Sequence, residues 1–218
     1  MTTDVWQVAW FTVTVAGVAT IVMLPPGIGL AWLFARHRFL GRTALETLVA
    51  LPLVIPPVAT GLILLNLFGR RGSLGRLLAA AGVEVIFTWK AVVLAMAVMG
   101  LPLLVRAGRV AFEQVDRRYE QMAATLGAGP LRVFMTVSLP LAGRGLMAGT
   151  LLAFSRALGE FGATVMVAGS IPGSTRTIAA GIYSYTEVGN DAAAAGLLLV
   201  SICIAFGALW VSNRLAQS

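Results

Sequence analysis

Five stretches of this chain are long and apolar enough to cross a lipid bilayer, which removes most soluble folds at once. They run over about 6–35, 45–68, 89–105, 141–168 and 192–211. A helix needs about 20 mostly apolar residues to traverse the hydrocarbon core. Of the 218 residues, 58% are hydrophobic and 11% charged, and the mean hydropathy is +0.88. A soluble domain carries roughly 25% charged residues to cover its wetted surface. Apolar and polar residues do not alternate in any window, which argues against a membrane β-barrel. The expected fold is an all-α integral membrane protein of about five helices, one domain over 1–218. A sixth span or half-span over 177–185 stays open.

Prolines interrupt the first three windows. Pro25-Pro26 is expected to break the first, Pro52, Pro56 and Pro57 lie in the second, and Pro102 lies close to the end of the third. Simple kinks and irregular backbone beside a translocation path both fit. Gly61, Gly145, Gly149, Gly159 and Gly162 are expected to let helices approach closely. Trp6, Trp10, Trp32, Trp89 and Trp210 fall near window ends, as in an interfacial aromatic belt. Cys203 reads as a small packing residue.

The net charge is +7, yet the cations cluster in short loops beside apolar runs, so nucleic acid is not the expected partner. Arg36, Arg38, Arg42, Arg106, Arg109, Arg117, Arg118, Arg132, Arg144 and Arg214 fall on one side of a five-span topology. Arg70, Arg71, Arg76, Lys90 and Arg176 fall on the other. The richer side is expected inside, with the N-terminus outside and the C-terminus cytoplasmic. The opening residues lack a basic n-region, so the first window is expected to be retained. One cysteine and one histidine, Cys203 and His37, leave no intrachain disulfide and no Cys/His metal site. The only lysine, Lys90, does not follow a glycine, so a G-x-x-x-x-G-K-S/T phosphate loop is missing. Any ATP must be bound by another chain. An intramembrane enzyme would need a nucleophile and base or metal ligands in a span; H-E-x-x-H does not occur, and Lys90 is the only base for a Ser–Lys pair. A stand-alone channel is the other rival class.

The polar interval over 115–140 has its own design. Asp116 is a plausible N-cap, and after Val115 the residues Tyr119, Met122, Ala123 and Leu126 recur at helical spacing. Gly127-Ala128-Gly129 breaks this helix and Pro130 suits the first turn of another. Leu131, Phe134 and Met135 give the second helix an apolar face, and Leu139-Pro140 marks re-entry into the bilayer. Such a hairpin fits a membrane surface or the groove of a partner.

This interval resembles the EAA loop of bacterial ABC importer permeases: Glu-Ala-Ala, three residues, Gly, nine residues, Ile, one residue, Leu-Pro. Gly127 and Leu139-Pro140 match; Ala123 matches, Gln121 and Met122 stand for Glu and Ala, and Val137 stands for Ile. Glu120, one residue earlier, is a substitute acidic contact. The resemblance implies that Tyr119, Glu120, Gln121, Ala123, Leu126, Gly127, Ala128, Gly129, Pro130, Leu139 and Pro140 couple the chain to a cytoplasmic ATPase. LPLVIPPVATGLILL at 51–65, the following GRRGSLGRLL, and FSRALGEFGATVMVAGSIPGSTRTIAAGIY at 154–183 are similar to molybdate-transporter permeases. ALGEFGAT at 157–164 is shared with sulfate-type permeases. The resemblance implies a type I importer bundle in the bacterial inner membrane, working as a homodimer. It also implies two ATPase subunits carrying ATP and Mg, an extracytoplasmic molybdate-binding protein, and no cofactor on this chain. Tungstate and sulfate or thiosulfate are the alternative cargoes.

Arg156 and Glu160 lie inside the fourth window at a spacing that puts them on one helix face, continued by Thr164 and flanked by Ser155 and Gly159. Charges at mid-bilayer cost about 2.5–3.5 kcal/mol each on insertion scales, so a mutual pair is expected. A structural pair and a gate element both fit. A dianion in transit needs donors but only weak binding, which makes the hydroxyls of Ser155, Thr164, Ser170 and Thr177 path candidates. A bare Glu160 would repel the anion, so its charge is expected to be paired or turned away.

Overall fold

In lipid the backbone must bond to itself, and runs of Ala, Val, Leu and Ile accordingly wind into helix. The computed structural model describes the backbone of residues 2–217 and the side chains of residues 5–211 and 214. In chain order the helices are α1 (Thr2–Arg36), α2 (Arg42–Val54), α3 (Pro57–Phe68), α4 (Ser73–Ala80), α5 (Trp89–Glu113) and α6 (Arg117–Thr125). Then come α7 (Pro130–Val133), α8 (Leu139–Leu158), α9 (Gly162–Ala168), α10 (Ile178–Glu187) and α11 (Asp191–Gln217). A π-helical segment, Phe134–Ser138, joins α7 to α8 without a break.

Four stretches are each long and apolar enough to span a membrane: Val5–Arg36, Trp89–Glu113, Pro130–Leu158 and Asp191–Val211. The second window is split. Its halves, α2 and α3, pass the same test only together and are bent by 115° at the break between them, with Pro56 and Pro57 at the joint. Chain direction shows what this bent pair does. A Cβ on Gly27 would strike Leu104, and one on Gly108 would strike Ala31, so α1 and α5 run parallel. The bent pair must therefore carry the chain back from the end of α1 to the start of α5. α8 runs antiparallel to α5, with Gly145 against Ala111 and Gly149 against Ala107. α11 starts beside the first turns of α1, where Val5 lies near Gly196. The chain thus passes end to end five times. The start of α1 lies opposite the end that carries the loop between α5 and α8.

α5 is the core helix, packed between α1 and α8. Met96, Met99 and Leu104 are fully buried there, clustered with Met23, Ala153 and Ala157. Small residues make these contacts possible. A Cβ on Gly149 would lie 2.6 Å from that of Ala107, and one on Gly145 2.6 Å from that of Ala111. Gly61 and Gly162 bring α3 and α9 together in the same way, with Met166 and Pro57 as the close neighbours.

Several expectations are corrected. α1 runs unbroken through Pro25-Pro26, whose rings sit on the exposed side while Met23 and Gly27 face the core. The fourth span ends at Leu158 rather than near 168, and starts as early as Pro130. Of the two forms left open over 177–185, α10 with its 10 residues, about 15 Å at 1.5 Å per residue, matches the half-span rather than a full sixth span and packs against α11. Gly159 meets only its own preceding turn and ends α8 instead of bringing helices together. Cys203 is exposed rather than packed.

Candidate functional site

At the end of the bundle opposite the start of α1, the chain builds a hairpin whose every turn has a local cause. Asp116 Oδ1 accepts the amide of Arg118 at 2.9 Å and starts α6. At its other end Ala128 N donates to Ala123 O at 3.1 Å and Gly127 N to Ala124 O at 3.0 Å. That is a Schellman closure, and Gly127 takes the left-handed φ of +85° it requires. Gly129 then caps α7 and Pro130 occupies its first turn. Pro140 has no amide to give Thr136 O, and Leu139 N instead reaches back to Phe134 O, the five-residue spacing of the π segment. The re-entry expected at Leu139-Pro140 is thus no new start: α7, the π segment and α8 form one continuous rod, corrected from a separate second helix.

The apolar stripe of α6 points away from the bundle. Tyr119, Met122 and Leu126 are 56%, 63% and 88% exposed, and Leu131 and Met135 across the turn are exposed as well. Gln121, Gly127, Gly129, Pro130 and Pro140 are exposed, and Ala123, Ala128 and Leu139 partly so. Glu120 does not join that display. Its Oε1 accepts Arg36 Nε at 2.9 Å and Ser138 Oγ at 2.7 Å, while Arg36 Nη2 donates to Val115 O at 2.9 Å. The Arg36 and Glu120 side chains are 8% and 19% exposed. Glu120, expected to serve an external partner, is therefore taken up by α1 and the base of α8. Arg36 and Ser138 are the residues sequence reasoning missed. Arg36 read only as a topological charge, and a separation of 84 residues hides its pairing. Phe134 reinforces the joint, edge-on to Trp32 at 5.2 Å and 6.1 Å from Phe112.

A second ionic knot ties α2 to α5 at the same end. Glu46 Oε1 accepts Arg42 at 2.7 Å and Arg109 at 3.1 Å, and Arg109 also reaches Glu113 at 2.7 Å.

The charges of Arg156 and Glu160 pair, but not along one helix. Arg156 is in the last turn of α8, Gly159 ends that helix, and Glu160 lies in the break before α9. Arg156 Nη1 donates to Glu160 Oε2 at 2.7 Å, and Ala163 N donates to Oε1 at 2.7 Å. Glu160 is 1% exposed and so presents no bare charge to a path. Thr164 is equally buried and donates to Glu160 O at 3.0 Å, and Ser155 is spent on Leu151 O at 2.9 Å. Thr177, fully buried, caps α10. These hydroxyls bond to backbone carbonyls and caps. Ser170 differs: it lies 3.3 Å from Ser184 Oγ and accepts Arg176 Nε at 3.3 Å.

The chain has relatives among known proteins. A family described as binding-protein-dependent transport system inner membrane component matches residues 27–218. The chain is 46% identical to the Molybdenum transport system permease protein ModB of Escherichia coli (strain K12), covering 100% of this chain and 96% of that protein. It is 41% identical to ModB of Haemophilus influenzae over 94% of this chain and 93% of the other. The Sulfate transport system permease protein CysT of Salmonella typhimurium is 36% identical over 94% of this chain and 74% of its own. Among solved structures, the inward-facing MetNI methionine ABC transporter superposes with a TM-score of 0.69 at 18% identity, covering 100% of this chain and 94% of the other. A likeness at that identity speaks to fold alone.

Proposed function

Because the chain belongs to the binding-protein-dependent inner-membrane transport permeases, we propose that it forms the translocation path of an ATP-driven importer whose cargo is molybdate. The observation that carries the cargo is the 46% identity to a molybdenum permease over the whole chain. In this reading residues 1–218 act as one permease domain, and two copies enclose the path. The hairpin end faces the cytoplasm, the N-terminus is outside and the C-terminus inside. Ten of the 16 basic residues then fall on the cytoplasmic side, in keeping with the positive-inside bias.

Two ATPase subunits, which carry the ATP and Mg, dock on the two hairpins. The exposed stripe of Tyr119, Met122 and Leu126, continued by Leu131 and Met135, fits an apolar groove. Gln121 stands beside that stripe as a polar contact. A binding protein delivers the anion to the opposite face. Around the path, Ser155, Arg156, Gly159, Glu160 and Thr164 form the joint between α8 and α9. Movement at this joint shifts α9 relative to α8. The Arg156–Glu160 pair lets that joint sit in the membrane without an uncompensated charge.

Sulfate is the second reading, favoured by the 36% identity to a sulfate permease. Cells deprived of both their own molybdenum permease and their own sulfate permeases, and supplied with this chain, its ATPase and its binding protein, separate the two. Recovery of cell molybdenum at low external molybdate is expected. Recovery of sulfate assimilation without recovery of molybdenum would move the cargo to sulfate.

A further inference from the structure

The docking stripe and the tie to the bundle lie on different sides of one short helix. No residue of α6 is fully buried, so packing alone does not fix it to the spans. It is flanked by a capped turn at Asp116 and by the glycine closure at Gly127. A load applied at Tyr119, Met122 and Leu126 could be absorbed by rotation at those two turns. One carboxylate oxygen opposes this. Glu120 Oε1 accepts Arg36 from the last turn of α1 and Ser138 from the foot of α8, and Arg36 also grips the Val115 carbonyl that precedes α6. Ser138 is 1% exposed, and both charged partners are largely shielded from water. A shielded, geometrically fixed pair resists displacement in a way that mobile surface pairs do not. Phe134, wedged between Trp32 and Phe112, stiffens the same joint.

We infer that Arg36, Glu120 and Ser138 form a clamp that transmits movement of the docking hairpin into α1 and α8, and that they are positioning residues for coupling ATP hydrolysis to transport. This rests on the reading of the hairpin as the ATPase dock. Through the clamp, the hairpin, the end of α1 and the foot of α8 move as one body. α8 leads directly to the Gly159 break and to Glu160. Without the clamp, the ATPase would still bind and turn over, but the hairpin would swing without carrying the spans.

The test uses the assembled complex in proteoliposomes loaded with ATP, with labelled molybdate outside and the binding protein present. Arg36→Met, Glu120→Gln and Ser138→Ala are compared with the unaltered chain, and ATPase co-purification, ATP hydrolysis and uptake are read on each. Arg36→Met and Glu120→Gln are expected to retain the ATPase and hydrolyse ATP. They should move about tenfold fewer anions per ATP, within the range common for coupling between sites. Ser138→Ala should show a smaller loss in the same ratio. If Arg36→Met fails to assemble, Arg36→Lys, which keeps the charge but not the forked donor set, carries the comparison with Ser138→Ala. Unchanged anions per ATP in the assembled variants would overturn the clamp and leave it a structural tie. Loss of the ATPase from the clamp variants would also overturn it, because the three residues would then shape the docking surface itself. Leu126→Glu tests the docking reading separately: if the ATPase stays bound to that variant, the dock lies elsewhere, whatever the clamp variants do.

Discussion

Arg156→Met strips a buried carboxylate of its charged partner while leaving the side-chain volume similar. Glu160 is 1% exposed, and its two oxygens are shared between Arg156 Nη1 and the amide of Ala163, each at 2.7 Å. After the substitution Oε1 keeps its amide and Oε2 keeps nothing. Breaking a buried pair from one side costs about 3–5 kcal/mol. Arg156 is itself 27% exposed, which places this pair toward the low end, about 3 kcal/mol. Glu160→Gln should cost less, about 1–3 kcal/mol, because the amide oxygen still accepts Ala163 N and the freed guanidinium can reach polar surroundings. The double variant should be less damaging than the sum of the two by at least about 1 kcal/mol, the signature of residues in direct contact. Thermal unfolding in detergent, followed by size-exclusion of the surviving fold, reads the order directly. Arg156→Met should melt lowest, with Glu160→Gln and the double variant between it and the parent. If Arg156→Met melts with the parent, or the two losses simply add in the double variant, the carboxylate does not depend on this arginine and the reasoning fails.

Gly149→Ala and Gly143→Ala should differ in sign. Either gains about 1 kcal/mol of helix propensity. The Cβ at 149 meets that of Ala107 at 2.6 Å, whereas 143 has open space around it, and overpacking of about 1–3 kcal/mol should make the first the less stable in a melting comparison. Leu126→Glu, at a residue 88% exposed, should shift the melting of the isolated permease by no more than about 0.5 kcal/mol, yet release the ATPase in pull-down. Gly127→Val forces a β-branched residue to φ +85° and should cost about 1–3 kcal/mol in the hairpin, read as faster proteolysis between α6 and α7.

The spans were legible because an apolar run of membrane length is its own signal, and the hairpin was legible because its caps are local: Asp116 before α6, Gly127 after it, Pro130 opening the next turn. Pro25-Pro26 misled because the sequence does not say which side of α1 faces outward. On the exposed side, the lost amides and the rings disturb no core contact. The spacing of Arg156 and Glu160 suggested one helix, and the pair does form, but Gly159 and Gly162 bracket Glu160 and interrupt the helix there. Those two glycines were a signal that could have been weighed against the helical spacing. The Arg36–Glu120 contact joins residues 84 apart through the parallel packing of α1 and α5. No local pattern encodes such a contact.

ATP-dependent uptake in proteoliposomes that hold this chain, its ATPase and its binding protein tests the central claim most directly. Labelled molybdate is offered against an excess of unlabelled tungstate or sulfate. The account expects molybdate to accumulate only with ATP, blocked by tungstate and untouched by sulfate. Block by sulfate would assign the chain to sulfate import, and no ATP-dependent uptake of any of the three anions by an intact complex would contradict the oxyanion reading altogether.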